Sequence, residues 1–250
     1  MLKGLLKDVN GFIQLLFTLI LSIGGAFVGT FLFLFVLLFF SGKDLSMFNN
    51  LAMNFMQDAN LVRIYQFISQ VFTFILPAVA GAWLFSDKYK TYLKLDTPVY
   101  LPTVLWTIFG GLVIIPFLNL VTYLNMQMTL PDSLKFLEDA MRNMEDQANK
   151  LMELMLNTDN FSVFILNILI VAVFAAISEE LMFRGLCQNI VSKIFSNKHI
   201  VIWIVAILFS AIHLQFYGFF TRMLIGAWLG YLVYMTGSLW IPIIAHFTNN

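Results

Sequence analysis

The feature that decides what this chain can fold into is a set of apolar runs. Each is long enough, or nearly so once tilt and partial embedding are allowed, to cross the roughly 30 Å hydrocarbon layer of a bilayer. They fall near residues 12–39, 64–86, 99–124, 161–182, 200–217, 221–236 and 239–250, the last two short and separated only by Gly237-Ser238. In lipid a chain has to satisfy its own backbone hydrogen bonds, so such runs become helices. Composition agrees: 60% of residues are apolar, mean hydropathy is +0.85 and 11% are charged, where a soluble domain carries roughly 25% charged residues. The expected fold is all-α, a polytopic transmembrane helical bundle of about seven to eight helices. Lys3 and Lys7 precede an apolar stretch that outlasts the ~7–15 residues of a signal-peptide core and has no small-residue cleavage site after it. It reads as a retained first span.

Charge sets the orientation. Lys3 and Lys7, then Lys88, Lys90 and Lys94, then Lys193 and Lys198 fall in alternate connections, as the positive-inside rule asks of a cytoplasmic N-terminus. This puts Glu179 toward the cytoplasmic end of the fourth span. The segment 125–160 carries seven acids against Lys135, Arg142 and Lys150, which suits the outer side. With formal net charge zero and no basic run, nothing points to nucleic acid. The one cysteine, Cys187, forbids an intrachain disulfide, and a buried thiol there packs as a small hydrophobe. No linker or internal repeat is visible.

The segment 125–160 also holds a pattern. Leu134, Leu137, Met141, Met144, Ala148, Leu151 and Met155 recur at alternating steps of three and four, which makes one apolar stripe on an otherwise charged helix. Such a helix can lie on the membrane surface, cover the bundle or meet a partner. Gly25 with Gly29, and Gly226 with Gly230, have the spacing that lets helix backbones approach closely. Pro77, Gly110-Gly111 and Pro116 suggest interruptions of the second and third spans.

Chemistry resides in the few ionisable residues placed within apolar runs. Each costs at least ~2.5–3.5 kcal/mol on insertion scales, so a functional site is the default reading. Glu180 and Arg184 are four apart and can pair on one helix face, while Glu179 lies roughly 100° round the axis with no partner nearby in sequence. Of three histidines, His199 belongs to an interface, whereas His213 and His246 sit inside apolar runs. Phe209 lies one turn before His213 and can pack on its ring. His246 and Asn250 are four apart and can aim at one point. A carboxylate, two imidazoles and an amide from three helices can build a bundle-core site. Glu179, His213 and His246 are candidate ligands for Zn²⁺, which would supply a hydroxide nucleophile. Without metal, the carboxylate and an imidazole can deprotonate water, while His246 and Asn250 donate to an oxyanion. Sequence alone leaves both open. A two-aspartate protease is excluded, since no span holds an aspartate, and Ser178 and Ser210 lack a Gly-x-Ser setting.

Glu179-Glu180-x-x-x-Arg184 with Phe183 and Gly185 flanking the arginine, Phe209-x-x-x-His213, and His246-x-x-x-Asn250 together resemble the three-motif signature of the CPBP intramembrane metalloprotease family. That family includes the type II CAAX prenyl endopeptidases and Abi-like bacterial proteins grouped with bacteriocin processing and self-immunity. The likeness covers roughly residues 161–250. It implies that Glu179 activates water with His213 beside it, that His246 and Asn250 act as ligands or oxyanion donors, and that Glu180 and Arg184 hold the helix and a substrate carboxylate. Asn250 is the last residue, where a helix is expected to run on.

The expectation is therefore one integral membrane domain over 1–250: membrane spans in 1–124, an extramembrane or interfacial amphipathic helix in 125–160, and a catalytic core in 161–250. It would cleave a peptide or membrane-tethered protein, in the plasma membrane of a bacterium. A non-catalytic scaffold or immunity protein of the same fold is the alternative. A proton-coupled transporter using the same residues as a relay is the third reading, and paired broken helices in matching halves are not found in its support.

Overall fold

The computed structural model describes residues 2–40, 55 and 57–250. The expected all-α bundle is what folds. In chain order the helices are α1 (Gly11–Phe40), α2 (Ala59–Phe85), α3 (Leu101–Met126), α4 (Lys135–Leu156), α5 (Phe161–Ile194), α6 (Lys198–Ala211), α7 (Phe219–Thr236) and α8 (Trp240–Asn249). Of these, α1, α2, α3, α5 and α7 are long and apolar enough to cross a membrane, and α6 and α8 are shorter. The outward faces of α1 and α3 are apolar, with Phe31 70% and Trp106 72% exposed. In water such faces would be a liability; in lipid they are the solvent contact.

Helix starts follow local chemistry. Asp58, Asn160 and Asn197 each accept hydrogen bonds from the first free amides of α2, α5 and α6, satisfying donors that have no partner within the helix. Gly237 ends α7 in the left-handed conformation at φ +66°, which glycine adopts without steric cost. Pro77 has no N–H to give, and α2 accommodates it by a wide turn over Gln70–Ile75 in which the Leu76 amide reaches back to the Val71 carbonyl. Two more wide turns lie in α5, at Ile168–Phe174 and Leu181–Cys187. Turns of this kind are rare and concentrate at functional sites.

One boundary differs from expectation in a way that matters. The fourth apolar run was expected to end near 182, but α5 continues as helix through Arg184 to the 191–194 turn. Buried partners for Arg184 let the helix carry a charge through its middle. The acid pair therefore lies well inside α5 rather than near its end.

The lysine-bearing connections gather at one end of the bundle. Lys7 Nζ pairs with Asp87 Oδ2 at 2.8 Å, Lys193 Nζ donates to the Lys7 carbonyl at 3.2 Å, and the Leu239 amide donates to the Lys94 carbonyl at 3.0 Å. At the opposite end α4 covers the bundle. Its C-terminal carbonyl at Met155 accepts from Arg63 Nη2 at 2.7 Å and Asn167 Nδ2 at 2.6 Å, and Arg63 Nε donates to Asn167 Oδ1 at 2.7 Å. A cation on a helix C-terminus is favourable both for the orphan carbonyls and for the macrodipole. Midway along α4, Glu145 Oε2 accepts the Tyr217 amide at 3.2 Å and Arg142 stacks 4.3 Å from the Tyr217 ring centroid. The helix is thus fastened to the bundle at its middle and at its C-terminal end, while its Leu137, Met144 and Met152 remain exposed.

Helix α1 meets α2 at a point where no side chain fits. A Cβ at Gly25 would overlap the Phe72 carbonyl oxygen, whereas one at the neighbouring Gly24 would face open space. Gly25→Ala is expected to destabilise the protein by about 1–3 kcal/mol, the cost of overpacking. Gly24→Ala is expected to be neutral or to stabilise by up to about 1 kcal/mol. Thermal unfolding of the two variants in the same detergent checks this, and equal melting temperatures would contradict the α1–α2 contact.

Candidate active site

The middle of α5 delivers two adjacent carboxylates into different surroundings. Glu180 and Arg184 have no exposed side-chain surface and are joined by Arg184 Nη1 to Glu180 Oε1 at 2.7 Å. The pairing expected from their spacing of four is thus made. Arg184 Nη2 donates to the Gly226 carbonyl of α7 at 3.0 Å, and its Cζ lies 4.4 Å from the centroid of the Phe209 ring. Glu179 retains 15% of its side-chain exposure. A buried arginine demands a counter-charge, acceptors and a polarisable face, and here it has a carboxylate, a carbonyl and a ring, while its Nε has no acceptor.

Glu180 also does something the sequence does not reveal. Its Oε1 lies 2.8 Å from Nδ1 of His246 on α8. An ionised carboxylate only accepts, so His246 Nδ1 carries the hydrogen. The other ring nitrogen, Nε2, then points toward Glu179 Oε2 at 3.8 Å. That separation is too long for a direct hydrogen bond and is within the reach of a bridging water.

His213 lies in the turn after α6. Its Nδ1 sits 2.8 Å from the Phe209 carbonyl, which can only accept, so this ring too is oriented with its Nε2 left over. The Phe209 ring is a hub: its centroid lies 5.2 Å from that of His213, 5.9 Å from His246 and 5.3 Å from Phe183, all edge-to-face. His213 is within electrostatic reach of Glu179 and His246. Glu179, Glu180, Arg184, His213 and His246 therefore form one cluster drawn from α5, α6 and α8, with α7 supplying the Gly226 carbonyl.

Other expected placements are not met. Asn250 lies outside α8, which ends at Asn249; it is exposed and its Nδ2 donates to the Val171 carbonyl at 3.4 Å. Its own amide still donates to the His246 carbonyl at 3.0 Å, which keeps it on the last turn of the helical ladder. Arg184 was expected to hold a substrate carboxylate as well as the helix. Its complete burial and its bonds to Glu180 and Gly226 leave it the helix-holding role alone. The ligand set Glu179, His213 and His246 expected for zinc is not assembled: among the described residues no group of three His, Cys, Asp or Glu side chains is placed to hold a metal ion.

The residues set aside from the site stay out of it. His199 Nδ1 is 2.7 Å from the Tyr231 hydroxyl near the lysine-bearing end. Ser178 and Ser210 donate to the Ala175 and Phe219 carbonyls, and Cys187 is buried against Met182. Gly226 and Gly230 turn out to matter for more than close approach, since their carbonyls accept from Arg184 and from Gln188 Nε2 at 3.3 Å. The small-residue spacing was the only sequence signal for that.

A helical bundle with five helices long and apolar enough to cross a membrane, which shields carboxylates and two oriented imidazoles, defines an integral membrane protein with ionisable side chains inside it. Its residues 161–250 match the family model described as type II CAAX prenyl endopeptidase Rce1-like. This match bears out the family likeness of the three motifs and points to a CAAX-type intramembrane protease acting on a peptide substrate. No curated protein and no solved structure matches the chain.

If the Arg184–Glu180 pair anchors the cluster, removing one partner strands the other charge without water. Arg184→Leu is expected to cost about 3–5 kcal/mol of stability. The double variant Glu180→Gln, Arg184→Leu is expected to lose less than that single change, because no unpaired charge remains. Chemical or thermal denaturation in detergent compares them, and a single variant as stable as the parent would remove the pair from this role.

Proposed function

We propose that the protein is an endopeptidase that hydrolyses a peptide bond of a membrane-associated substrate, using water polarised by Glu179. The observation that carries this reading is the approach of His246 Nε2 to Glu179 Oε2 at 3.8 Å, with His246 locked from behind by Glu180. A water in that gap has a base on one side and a fixed ring on the other.

In the proposed step Glu179 accepts a proton from the water while its oxygen bonds to the scissile carbonyl carbon. His213, whose Nδ1 is committed to Phe209, offers Nε2 as acceptor for the second hydrogen of the same water, which fixes the direction of attack. His246 is kept from rotating by the bond from its Nδ1 to Glu180 and forms the wall of the gap opposite Glu179. The carbon–nitrogen bond then breaks, and the proton held by Glu179 goes to the leaving amine. No acyl-enzyme forms. No step is assigned to a metal, since the side chains do not form a ligand set.

Positive-inside logic assigns the lysine-bearing end to the cytoplasm, which places the N-terminus there and α4 on the outer side. On this reading the chain resides in the plasma membrane of a bacterium, as the Abi-like proteins that its motifs resemble do.

The test is cleavage of a membrane-tethered reporter by purified protein in liposomes. Glu179→Ala and His213→Ala are each expected to lower the rate by about 10²–10⁴-fold, the usual contribution of a general base, with the fold retained. Cleavage by Glu179→Ala at the parent rate would sink the assignment. Stoichiometric zinc in the purified protein, with activity lost on chelation, would replace the metal-free step by a metal-bound hydroxide.

A further inference from the structure

The turn between α6 and α7 carries His213 and has little packing of its own. Ile212 and Leu214 are exposed, the latter at 65%, and Leu214 is held at φ +53°. The His213 amide reaches the Ser210 carbonyl at 3.3 Å and the Leu214 amide reaches the Ala211 carbonyl at 3.1 Å, bonds that tie the first half of the turn back to α6. Farther on, the Gln215 carbonyl accepts from Arg222 Nη2 of α7. A segment with exposed side chains and few buried contacts opens at low free energy unless something outside it pins it.

The pin is Tyr217, only 5% exposed, and α4 holds it twice. Glu145 Oε2 accepts the Tyr217 amide at 3.2 Å, and Arg142 Cζ lies 4.3 Å from the centroid of the Tyr217 ring. A hydrogen bond to an ionised carboxylate is roughly twice as strong as one between neutral groups. Arg142 is steadied in turn, with Nη2 and Nε donating to Glu138 Oε1 at 2.7 and 3.0 Å, while Glu138 Oε2 accepts the Leu130 amide at 2.8 Å.

His213 stands four residues before Tyr217. Its ring is fixed at one nitrogen, Nδ1, by the Phe209 carbonyl at 2.8 Å, so the place of Nε2 depends on where the turn sits. Glu138, Arg142 and Glu145 all lie outside the residues 161–250 that match the family model. The hold on the turn is therefore supplied by a helix that the matched segment does not contain.

Resting on the peptidase reading, we propose that Glu145 of α4 is a positioning residue for His213. By holding the Tyr217 amide it sets where His213 Nε2 stands relative to Glu179, and Arg142 keeps the Tyr217 ring in place beneath it. Glu145 touches neither substrate nor the reacting atoms. Misplacing a group by about 1 Å costs up to about 10²-fold in rate, and an interaction that matters only in the transition state shows in kcat rather than in KM.

The test is steady-state cleavage of the membrane-tethered reporter in liposomes, paired with hydrogen–deuterium exchange of the peptides covering 210–220. Glu145→Ala is expected to lower kcat by about 10- to 100-fold with KM little changed, and to quicken exchange in the turn. Glu145→Gln keeps an oxygen that accepts the amide while losing the charge, and is expected to recover most of both losses. Arg142→Ala, which removes the stacking and leaves the amide bond, is expected to lower kcat less than Glu145→Ala does. Asp146→Ala removes an equal charge at the next, exposed position and is expected to match the parent.

A loss in kcat that Glu145→Gln does not recover, a change carried by KM alone, or parent-like kcat and exchange in Glu145→Ala would overturn the proposal. If Glu145→Ala does not fold, parent-like kcat and exchange in Arg142→Ala overturn it instead. Faster exchange of the turn in Glu145→Ala, with no Glu179-dependent cleavage by the parent, leaves the hold of α4 standing and removes the peptidase reading. Glu179-dependent cleavage with Glu145→Ala at the parent kcat does the reverse.

Discussion

The ion pair between Arg184 and Glu180 is the contact from which the rest of the core follows. An arginine in the middle of a membrane helix is expensive unless its charge, its donors and its faces are all answered. Most of the answers come from different elements, Glu180 on the same helix, the Gly226 carbonyl on α7 and the Phe209 ring on α6, while the Arg184 Nε has no acceptor. Glu180 in turn takes Nδ1 of His246 on α8. Meeting the needs of one cation therefore draws α5, α6, α7 and α8 to one point. Gly226 is part of the price, since a Cβ there would come within 3.1 Å of Phe209 and 3.2 Å of the Ala206 backbone.

Two neighbouring glutamates consequently have opposite duties. Glu180 is sealed, paired and bonded, and its charge is spent on holding Arg184 and His246. Glu179 is partly exposed and has no bonded partner within the cluster beyond the 3.8 Å approach of His246. Pairs of like groups whose environments diverge in this way are the usual sign of a division between support and chemistry. The two imidazoles show the same logic, each fixed through Nδ1 by a group that can only accept and each left with Nε2 to work with.

The fold was largely legible in the sequence because lipid imposes long apolar runs, and the runs at 12–39, 99–124 and 221–236 reappear as α1, α3 and α7 within a few residues. The stripe from Leu134 to Met155 likewise reappears as α4. The Glu180–Arg184 bond and the Phe209–His213 stacking were legible too, both being contacts between residues four apart. What the sequence hid was non-local. The Glu180–His246 bond joins residues 66 apart, and no local pattern encodes it. The end of α5 lies beyond the apolar run because the helix continues past the buried Arg184.

The turn that carries His213 ties the ionisable cluster to the helix that covers one end of the bundle. Leu214, next to His213, has φ +53°, a left-handed conformation that costs a non-glycine residue about 1–3 kcal/mol and persists only where the surroundings enforce it. The enforcement is visible on both sides: Arg222 grips the Gln215 carbonyl, and Glu145 of α4 accepts the Tyr217 amide. Helix α4 is itself fastened by Arg63 and Asn167 at Met155. Burying Arg63 without a carboxylate would be hard to understand from α2 alone, but as the anchor of the helix that steadies the His213 turn it has a reason. The covering helix and the cluster of acids and histidines are thus joined through the turn that carries His213.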